Sequence, residues 1–233
     1  MTIGKLVTMR LDVLLVEQKK AASRGRARRA ITNGLVRVDG KIILKPSRQV
    51  GYENEIEVKE DIDVPAGYLK LKDIQDRTGI IHPGDVLLDL GSSAGGFLMF
   101  ASGIAGSVKG IEYSEEFMPY LNTIARSHDN ITVVQDNGFT MPLSSISDKT
   151  VDVIINDITV EPLDSIKVLA RVLPLLKPGG RLLQVLKLPD RSHLDECTNR
   201  LKELGLTIKY ILKPEKREVY VIAVRNGKNE AKK

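Results

Sequence analysis

Apolar positions change period several times within the first sixty residues. Leu11, Leu14 and Leu15, then Ala27 and Ile31, recur at helical spacing, and Ser23 is placed to cap the second helix. Asn33-Gly34 ends that helix, because glycine enters the left-handed conformation of a helix terminus cheaply. Leu35-Val36-Arg37-Val38 then alternates like a strand, Asp39-Gly40 signals a hairpin turn, and Lys41-Ile42-Ile43-Leu44 returns. Glu55-Ile56-Glu57-Val58 adds a last strand. The pattern predicts a small α+β domain over residues 1–60.

From Tyr68 the pattern becomes short apolar runs, at 86–90, 108–111, 131–134, 151–155 and 181–185. Amphipathic segments separate most of them, the signature of βαβ units and of a parallel sheet covered on both faces. Leu206-Thr207-Ile208-Lys209-Tyr210-Ile211 and Val219-Tyr220-Val221-Ile222-Ala223-Val224 follow one another without a helix between them. They predict a terminal hairpin that adds an antiparallel strand to a Rossmann-like α/β sheet. The second domain is expected over 68–227, after a linker at 61–67 that takes in the end of an acidic run (Glu53, Glu55, Glu57, Glu60, Asp61, Asp63), and before a basic tail at 228–233.

Composition narrows the class. Of 233 residues, 42% are apolar and 28% charged, which argues against wholesale disorder, and no apolar run is long enough to span a membrane. The apolar stretch at 13–16 sits between Asp12 and Glu17, too short for a secretory signal. A single cysteine, Cys197, allows no internal disulfide, so a cytoplasmic location is expected. His82, His128 and His193 lack ligand spacing, and no metal is expected. Charge is unevenly placed. Residues 1–52 hold twelve lysines and arginines against Asp12, Glu17 and Asp39, a balance of +9, so a total of +5 leaves −4 for the rest. That asymmetry points to a nucleic-acid-binding module joined to a near-neutral one.

The first segment resembles the S4-like RNA-binding domain. The likeness is carried by Arg10-Leu11-Asp12, Leu15, Ser23-Arg24, Ala27, Ile31, Gly34, Val36, Val38-Asp39-Gly40 and Lys45-Pro46. It implies an arginine-rich helix lying along structured RNA. Arg10, Arg24, Arg26, Arg28, Arg29, Arg37 and Lys45 are the candidate RNA contacts, and guanidinium forks suit phosphate oxygens.

Asp89-Leu90-Gly91-Ser92-Ser93-Ala94-Gly95-Gly96-Phe97 follows the first buried strand and opens a helix, so its backbone can approach a ligand at the strand's carboxyl end. The dinucleotide form G-x-G-x-x-G is absent. An acidic residue just before the first glycine, with Glu112 at the end of the next strand, suits S-adenosylmethionine instead. Asp89 can help hold an ammonium, Glu112 can accept two ribose hydroxyls, and Asp136 is placed to accept from the adenine amino group. Gly91, Ser93, Gly95, Phe97 and Asp157 complete the expected cofactor site.

Four charged residues come from four separate elements: Lys70 on a predicted helix, Asp157 and Lys187 at the ends of the fourth and fifth strands, and Glu218 at the start of the last. Across about residues 65–225 this Lys-Asp-Lys-Glu set resembles the FtsJ family of ribose 2′-O-methyltransferases, and the stretch from Gly110 to Ile154 is also similar to fibrillarin. The resemblance implies S-adenosylmethionine as cofactor and ribosomal RNA or a pre-ribosomal particle as partner. It implies that Lys187 is the general base, with Lys70 disfavouring a second ammonium beside it, Asp157 orienting the amine, and Glu218 positioning Lys70 and the ribose. A 2′-hydroxyl is a poor nucleophile until a neighbouring base takes its proton. The chain departs from the family at Pro65-Ala66-Gly67, where Ser-Arg-Ala is usual, at Ala94 and Phe97, and at Thr159-Val160-Glu161-Pro162, which replaces Ala-Pro. The alternative is an RNA-binding ribosome-assembly factor that keeps the cofactor pocket without turning over. Hemolysin-like relatives share the domain pairing, but no segment here has the amphipathic or apolar character that membrane lysis requires.

Overall fold

A computed structural model describes residues 8–32, 34–58, 65–147, 149–188, 193–214 and 218–227. The chain divides into two units, Met1–Ala66 and Gly67–Lys233.

In the first unit, strand β1 (Thr8–Arg10) leads into helices α1 (Leu11–Glu17) and α2 (Arg24–Thr32). Strands β2 (Val36–Val38), β3 (Lys41–Ile42), β4 (Gln49–Gly51) and β5 (Ile56–Val58) follow. β3, β2 and β5 form an antiparallel sheet in that order, while β1 pairs antiparallel with β4. The β1–β4 pair has no counterpart in the apolar pattern, since three-residue strands are too short to display alternation. Leu11, Leu14, Leu15, Ala27 and Ile31 are all buried against Val36, Val38 and Ile56. The Arg26 amide donates to Ser23 Oγ at 3.3 Å, the expected cap. Asn33 lies outside the described residues, but Gly34 has φ +72°. Asp39 and Gly40 are both left-handed, at +50° and +74°, as the tight β2–β3 hairpin requires.

The second unit begins with helix α3 (Ala66–Thr78), so Ala66 and Gly67, assigned to the linker on sequence, open a helix instead. A side chain at Gly67 would stand 3.1 Å from the Phe97 ring, which suits a glycine there. The remaining elements are β6 (Val86–Leu90), α4 (Gly96–Ser102), β7 (Ser107–Glu112), α5 (Met118–Arg126), β8 (Ile131–Gln135), α6 (Leu143–Ile146), β9 (Val151–Asn156), α7 (Pro162–Val172), β10 (Leu176–Lys187), α8 (Leu194–Glu203), β11 (Leu206–Leu212) and β12 (Glu218–Arg225). The seven strands run in the order β11-β12-β10-β9-β6-β7-β8. β10, β9, β6, β7 and β8 are mutually parallel, and β12 is antiparallel to both its neighbours. The terminal hairpin therefore joins the sheet with its second strand inside and its first at the edge. β10 starts five residues before the predicted run, its register shifting between Leu176 and Arg181, where Pro178-Gly179-Gly180 interrupts the apolar pattern.

Side chains alternate cleanly across this sheet. Leu87, Val108, Val153, Ile155, Leu183, Val185, Tyr220 and Ile222 pack with Leu71 and Ile74 of α3, Phe97 and Leu98 of α4 and Leu121 of α5. Leu88, Leu90, Ile154, Leu182, Leu186, Val219 and Val221 face the other way, onto α7 and α8. Among the described residues, no helix is long and apolar enough to cross a membrane.

Candidate active site

The phase that sends Leu87, Ile155, Val185 and Tyr220 toward α3 and α4 also governs the strand ends. It places Asp89, Asp157, Lys187 and Glu218 on that same face. Lys187 and Glu218 are direct cross-strand partners, and β9 lies beside β10. Lys70 lies one residue before Leu71, which α3 buries in the same core. Its Nζ donates to Asp157 Oδ2 at 2.8 Å and lies 3.0 Å from Glu218 Oε2. The ammonium also sits 5.1 Å from the Tyr220 ring centroid and 5.6 Å from that of Phe97, within cation–π range.

Lys187 is held differently. Its Nζ donates to Thr159 Oγ1 and stands 3.3 Å from Asp157 Oδ1, off the hydrogen-bonding direction, so that Oδ1 has no hydrogen-bond partner. The Tyr220 hydroxyl donates to Glu218 Oε2 at 3.0 Å. Burial alone would raise the Glu218 carboxyl, but the bond and charge of Lys70, with Tyr220 and Lys187 adding, hold it below the usual carboxylate range. Burial, reinforced by Glu218, pushes the Tyr220 hydroxyl up.

The glycine loop turns through three left-handed residues, Gly91 (φ +84°), Ser93 (+48°) and Gly95 (+76°). A Cβ at Gly91 would stand 3.1 to 3.2 Å from the Asp157 carbonyl and the Ile158 backbone. That position is closed to any side chain by both conformation and space. The Ser93 amide donates to Glu112 Oε2 at 2.7 Å and the Ser114 amide to Oε1 at 2.8 Å. Two bonds from the main chain fix the Glu112 carboxylate, and each oxygen keeps a lone pair. The Asp136 amide donates to the Glu112 carbonyl at 3.0 Å, and Asp136 Oδ1 accepts from the Asn137 amide at 2.6 Å.

These groups border a cavity of about 550 Å³ lined by Gly91, Ser93, Glu112, Asp136, Asp157 and Lys187. Such a volume falls in the usual small-molecule range. Asp89, Gly95 and Phe97, expected beside them, are not part of the cavity wall. Gly95 instead opens α4, and a Cβ there would stand 2.3 Å from Ile124. Phe97 is buried and faces Lys70. Asp89 is fully buried with both carboxylate oxygens unbonded, because the Ser92 hydroxyl reaches only its main-chain carbonyl. Burial pushes its carboxyl up to about 7, with the charges of Asp157 and Glu112 adding and the nearby Ser92 hydroxyl and Lys70 opposing.

The donor set fits S-adenosylmethionine. Glu112 presents a fixed carboxylate suited to a ribose diol, and Asp136 an acceptor for an exocyclic amine. The orphaned Oδ1 of Asp157, on the cavity wall, is suited to an ammonium, whereas the Asp89 carboxyl lies buried outside that wall. Tyr113, Phe117 and Phe139 line the same cavity and do not stand out in the sequence, although Tyr113 and Phe139 come shortly after the carboxyl ends of β7 and β8 and Phe117 immediately precedes α5. Thr159 stands out in the sequence only as part of a departure from the family pattern and Tyr220 only as a strand residue, and the fold alone brings them to Lys187 and Glu218. No group of three metal-ligating side chains occurs among the described residues.

In the first unit the candidate RNA contacts separate. Arg10 donates to the buried Asp12 through Nε and Nη2, at 2.8 and 3.0 Å, and Arg24 reaches the same carboxylate at 3.3 Å. These bonds hold the Asp12 carboxyl low against the opposing effect of burial. Arg37 donates to the Gly40 carbonyl of the hairpin at 2.9 Å. Arg26 is half-buried, whereas Arg28, Arg29 and Lys45 are exposed.

Comparison with known proteins agrees with both units. Residues 9–56 match the S4 domain and residues 64–226 the FtsJ-like methyltransferase domain. A Bacillus subtilis protein, YqxC, named as an rRNA methyltransferase, is 36% identical over 90 residues, 38% of this chain but only 32% of that protein. The ribosomal RNA large subunit methyltransferase E of Methanocaldococcus jannaschii is 29% identical over 178 residues, 67% of this chain and 71% of its own. Among solved structures, Methanococcus jannaschii fibrillarin superposes with a TM-score of 0.62 at 21% identity, covering 76% of this chain and 81% of that one. A Streptococcus thermophilus protein named as a hemolysin gives 0.59 at 17% identity, covering 95% and 90%. These structural likenesses establish the fold. The domain match over residues 64–226 is more than half of the chain, and it places the protein in the FtsJ-like methyltransferase family, S-adenosylmethionine-dependent 2′-O-methyltransferases of RNA, with an S4 domain ahead of the catalytic unit.

Proposed function

We propose that the protein methylates a ribose 2′-oxygen of structured ribosomal RNA, free or in a pre-ribosomal particle, in the cytoplasm. The observation that carries this reading is the half-buried Lys70–Asp157–Lys187–Glu218 cluster, whose Asp157 and Lys187 line the cavity that fits the cofactor. Bound S-adenosylmethionine supplies an electrophilic methyl group on a sulfonium, already a good leaving group. The chain then has to place a ribose oxygen in line with that methyl and remove its proton. Placement can supply much of the acceleration.

Lys187 is the proton acceptor in this reading. It has a single aligned hydrogen-bond partner, a neutral hydroxyl, and it borders the cavity. Lys70 is bonded to two carboxylates and faces two aromatic rings, an arrangement that suits a fixed cation holding Asp157 and Glu218 in position. Glu218 faces Lys187 across β10 and β12, and positions the ribose. Glu112 and Asp136 hold the ribose and adenine of the cofactor, Gly91 and Ser93 bring the backbone to it, and Asp157, on the cavity wall, attracts its ammonium. Arg28, Arg29 and Lys45 hold RNA phosphates, and Arg10, Arg24, Arg26 and Arg37 add positive charge to the same unit.

The test is to incubate the protein with isotope-labelled cofactor and ribosomal RNA, digest the RNA to nucleosides and separate them. Label in a 2′-O-methyl nucleoside is expected. Label on a base would refute the ribose assignment, and cofactor occupancy without transfer would favour the non-catalytic assembly factor.

A further inference from the structure

Lys187 and Lys70 carry the same functional group in different company. Two carboxylates hold Lys70, at 2.8 and 3.0 Å. Lys187 has one aligned partner, the Thr159 hydroxyl, while the Asp157 oxygen 3.3 Å away lies off the hydrogen-bonding direction. Thr159 sits two residues past Asp157, in the segment between β9 and α7 where the chain departs from the family pattern, and it lines the cavity.

We infer that Thr159 is a positioning residue for methyl transfer: its hydroxyl aims the Lys187 amine at the reacting ribose oxygen. The inference rests on the ribose-methylation reading given above. A neutral acceptor suits this task better than a carboxylate. A carboxylate at position 159 would favour the ammonium, which cannot accept a proton, whereas a hydroxyl oxygen accepts from the amine in either protonation state. The hydroxyl fixes direction while leaving the amine able to exchange its proton. Threonine is also stiff about χ1, so the oxygen is held where the backbone puts it. The charged and titratable groups facing Lys187 among the described residues are Asp157 after β9, Glu218 and Tyr220 on β12, and Lys70 on α3. Thr159 is the neutral member of this shell that bonds Lys187 directly.

Three variants test the inference in the full chain, by single-turnover transfer to ribosomal RNA across pH, with cofactor affinity measured alongside. Thr159→Val keeps the shape and removes the acceptor. Its single-turnover rate constant should fall on the order of 10²-fold, the scale of a misplaced reacting group, with cofactor affinity unchanged. Thr159→Ser should restore the rate. Thr159→Asp should move the rising limb of the rate profile to higher pH, because a carboxylate there favours the ammonium; rescue by Thr159→Ser is the outcome that a purely packing role would not give. If wild type methylates ribose but Thr159→Val matches it in single-turnover rate and pH profile, the inference is overturned. If Thr159→Ser is as slow as Thr159→Val, packing rather than the hydroxyl is responsible, and the inference again fails. A wild-type protein that leaves ribose unmethylated sinks the underlying reading instead.

Discussion

Replacing Lys187 with alanine separates chemistry from architecture. The side chain is 30% exposed and contributes one hydrogen bond and one misaligned ion pair at 3.3 Å. An ion pair of that kind contributes about 0 to 1 kcal/mol, and a hydrogen bond about 1 kcal/mol net. The fold should therefore lose no more than about 2 kcal/mol, and urea unfolding would report it. A lost general base lowers the rate by roughly 10² to 10⁴, which is about 3 to 5 kcal/mol of barrier. Glu112, Asp136 and the glycine loop are untouched, so calorimetric cofactor affinity should stay near wild type while single-turnover transfer collapses. Lys187→Arg should recover little, because a guanidinium keeps its proton. An arginine variant running near the wild-type rate would show that position 187 needs only positive charge. Proton removal would then fall to Asp157 or solvent.

Three further outcomes follow from the geometry. Lys70→Met removes the bonds at 2.8 and 3.0 Å that hold Asp157 and Glu218; stability should fall by about 2 to 4 kcal/mol, and NMR titration should find the Glu218 carboxyl moved upward, because burial then acts without Lys70. Asp89 has its folded carboxyl raised from 3.8 to about 7, so in the cofactor-free protein it favours folding below the unfolded value and this contribution is lost as pH rises through the folded one. Unfolding free energy should drop by up to about 1.4 kcal/mol per pH unit across that window, and in Asp89→Asn the slope should flatten. Replacing exposed Arg28 and Arg29 together with alanine should weaken RNA binding and reduce the log–log salt slope by about 0.7 to 0.9 for each phosphate no longer neutralised, with cofactor affinity intact. An unchanged slope would remove α2 from the RNA interface.

The elements were legible wherever a period is long enough to repeat. Leu11, Leu14 and Leu15 define α1, and the runs at 86–90 and 151–155 define β6 and β9, because each buries one face or both. The β1–β4 pair was not, since its pairing partners lie some forty residues apart in strands of three. Charged members of the site were legible as charges at strand ends. Their grouping was not, and neither was the diversion of Gly95 and Phe97 from the cavity wall to packing against Ile124 and Lys70. Arg10 and Arg24 read as free cations in a basic segment, yet both are spent on Asp12, whose burial only a tertiary fold decides.

Strand direction explains why Glu218 can belong to the site at all. In an open parallel sheet, ligands gather at the carboxyl ends of the strands. Asp157 and Lys187 reach that edge because each ends, or immediately follows, a parallel strand. Glu218 begins its strand, and in a parallel strand it would lie at the opposite edge of the sheet. β12 is antiparallel to β10, so its first residue stands at the carboxyl edge, directly across from Lys187. Had β11 rather than β12 paired with β10, Leu206 or Leu212 would occupy the hairpin end facing Lys187, and Lys70 would lose one of its two carboxylates. Placing β12 inside and β11 at the edge therefore decides whether the fourth charge joins the cluster. The apolar pattern of the hairpin agrees with that order: 219–224 is an unbroken apolar run, whereas Thr207 and Lys209 interrupt 206–211. Burial follows the pattern, since five consecutive residues of β12, Val219 to Ala223, are buried, against only the two ends of β11.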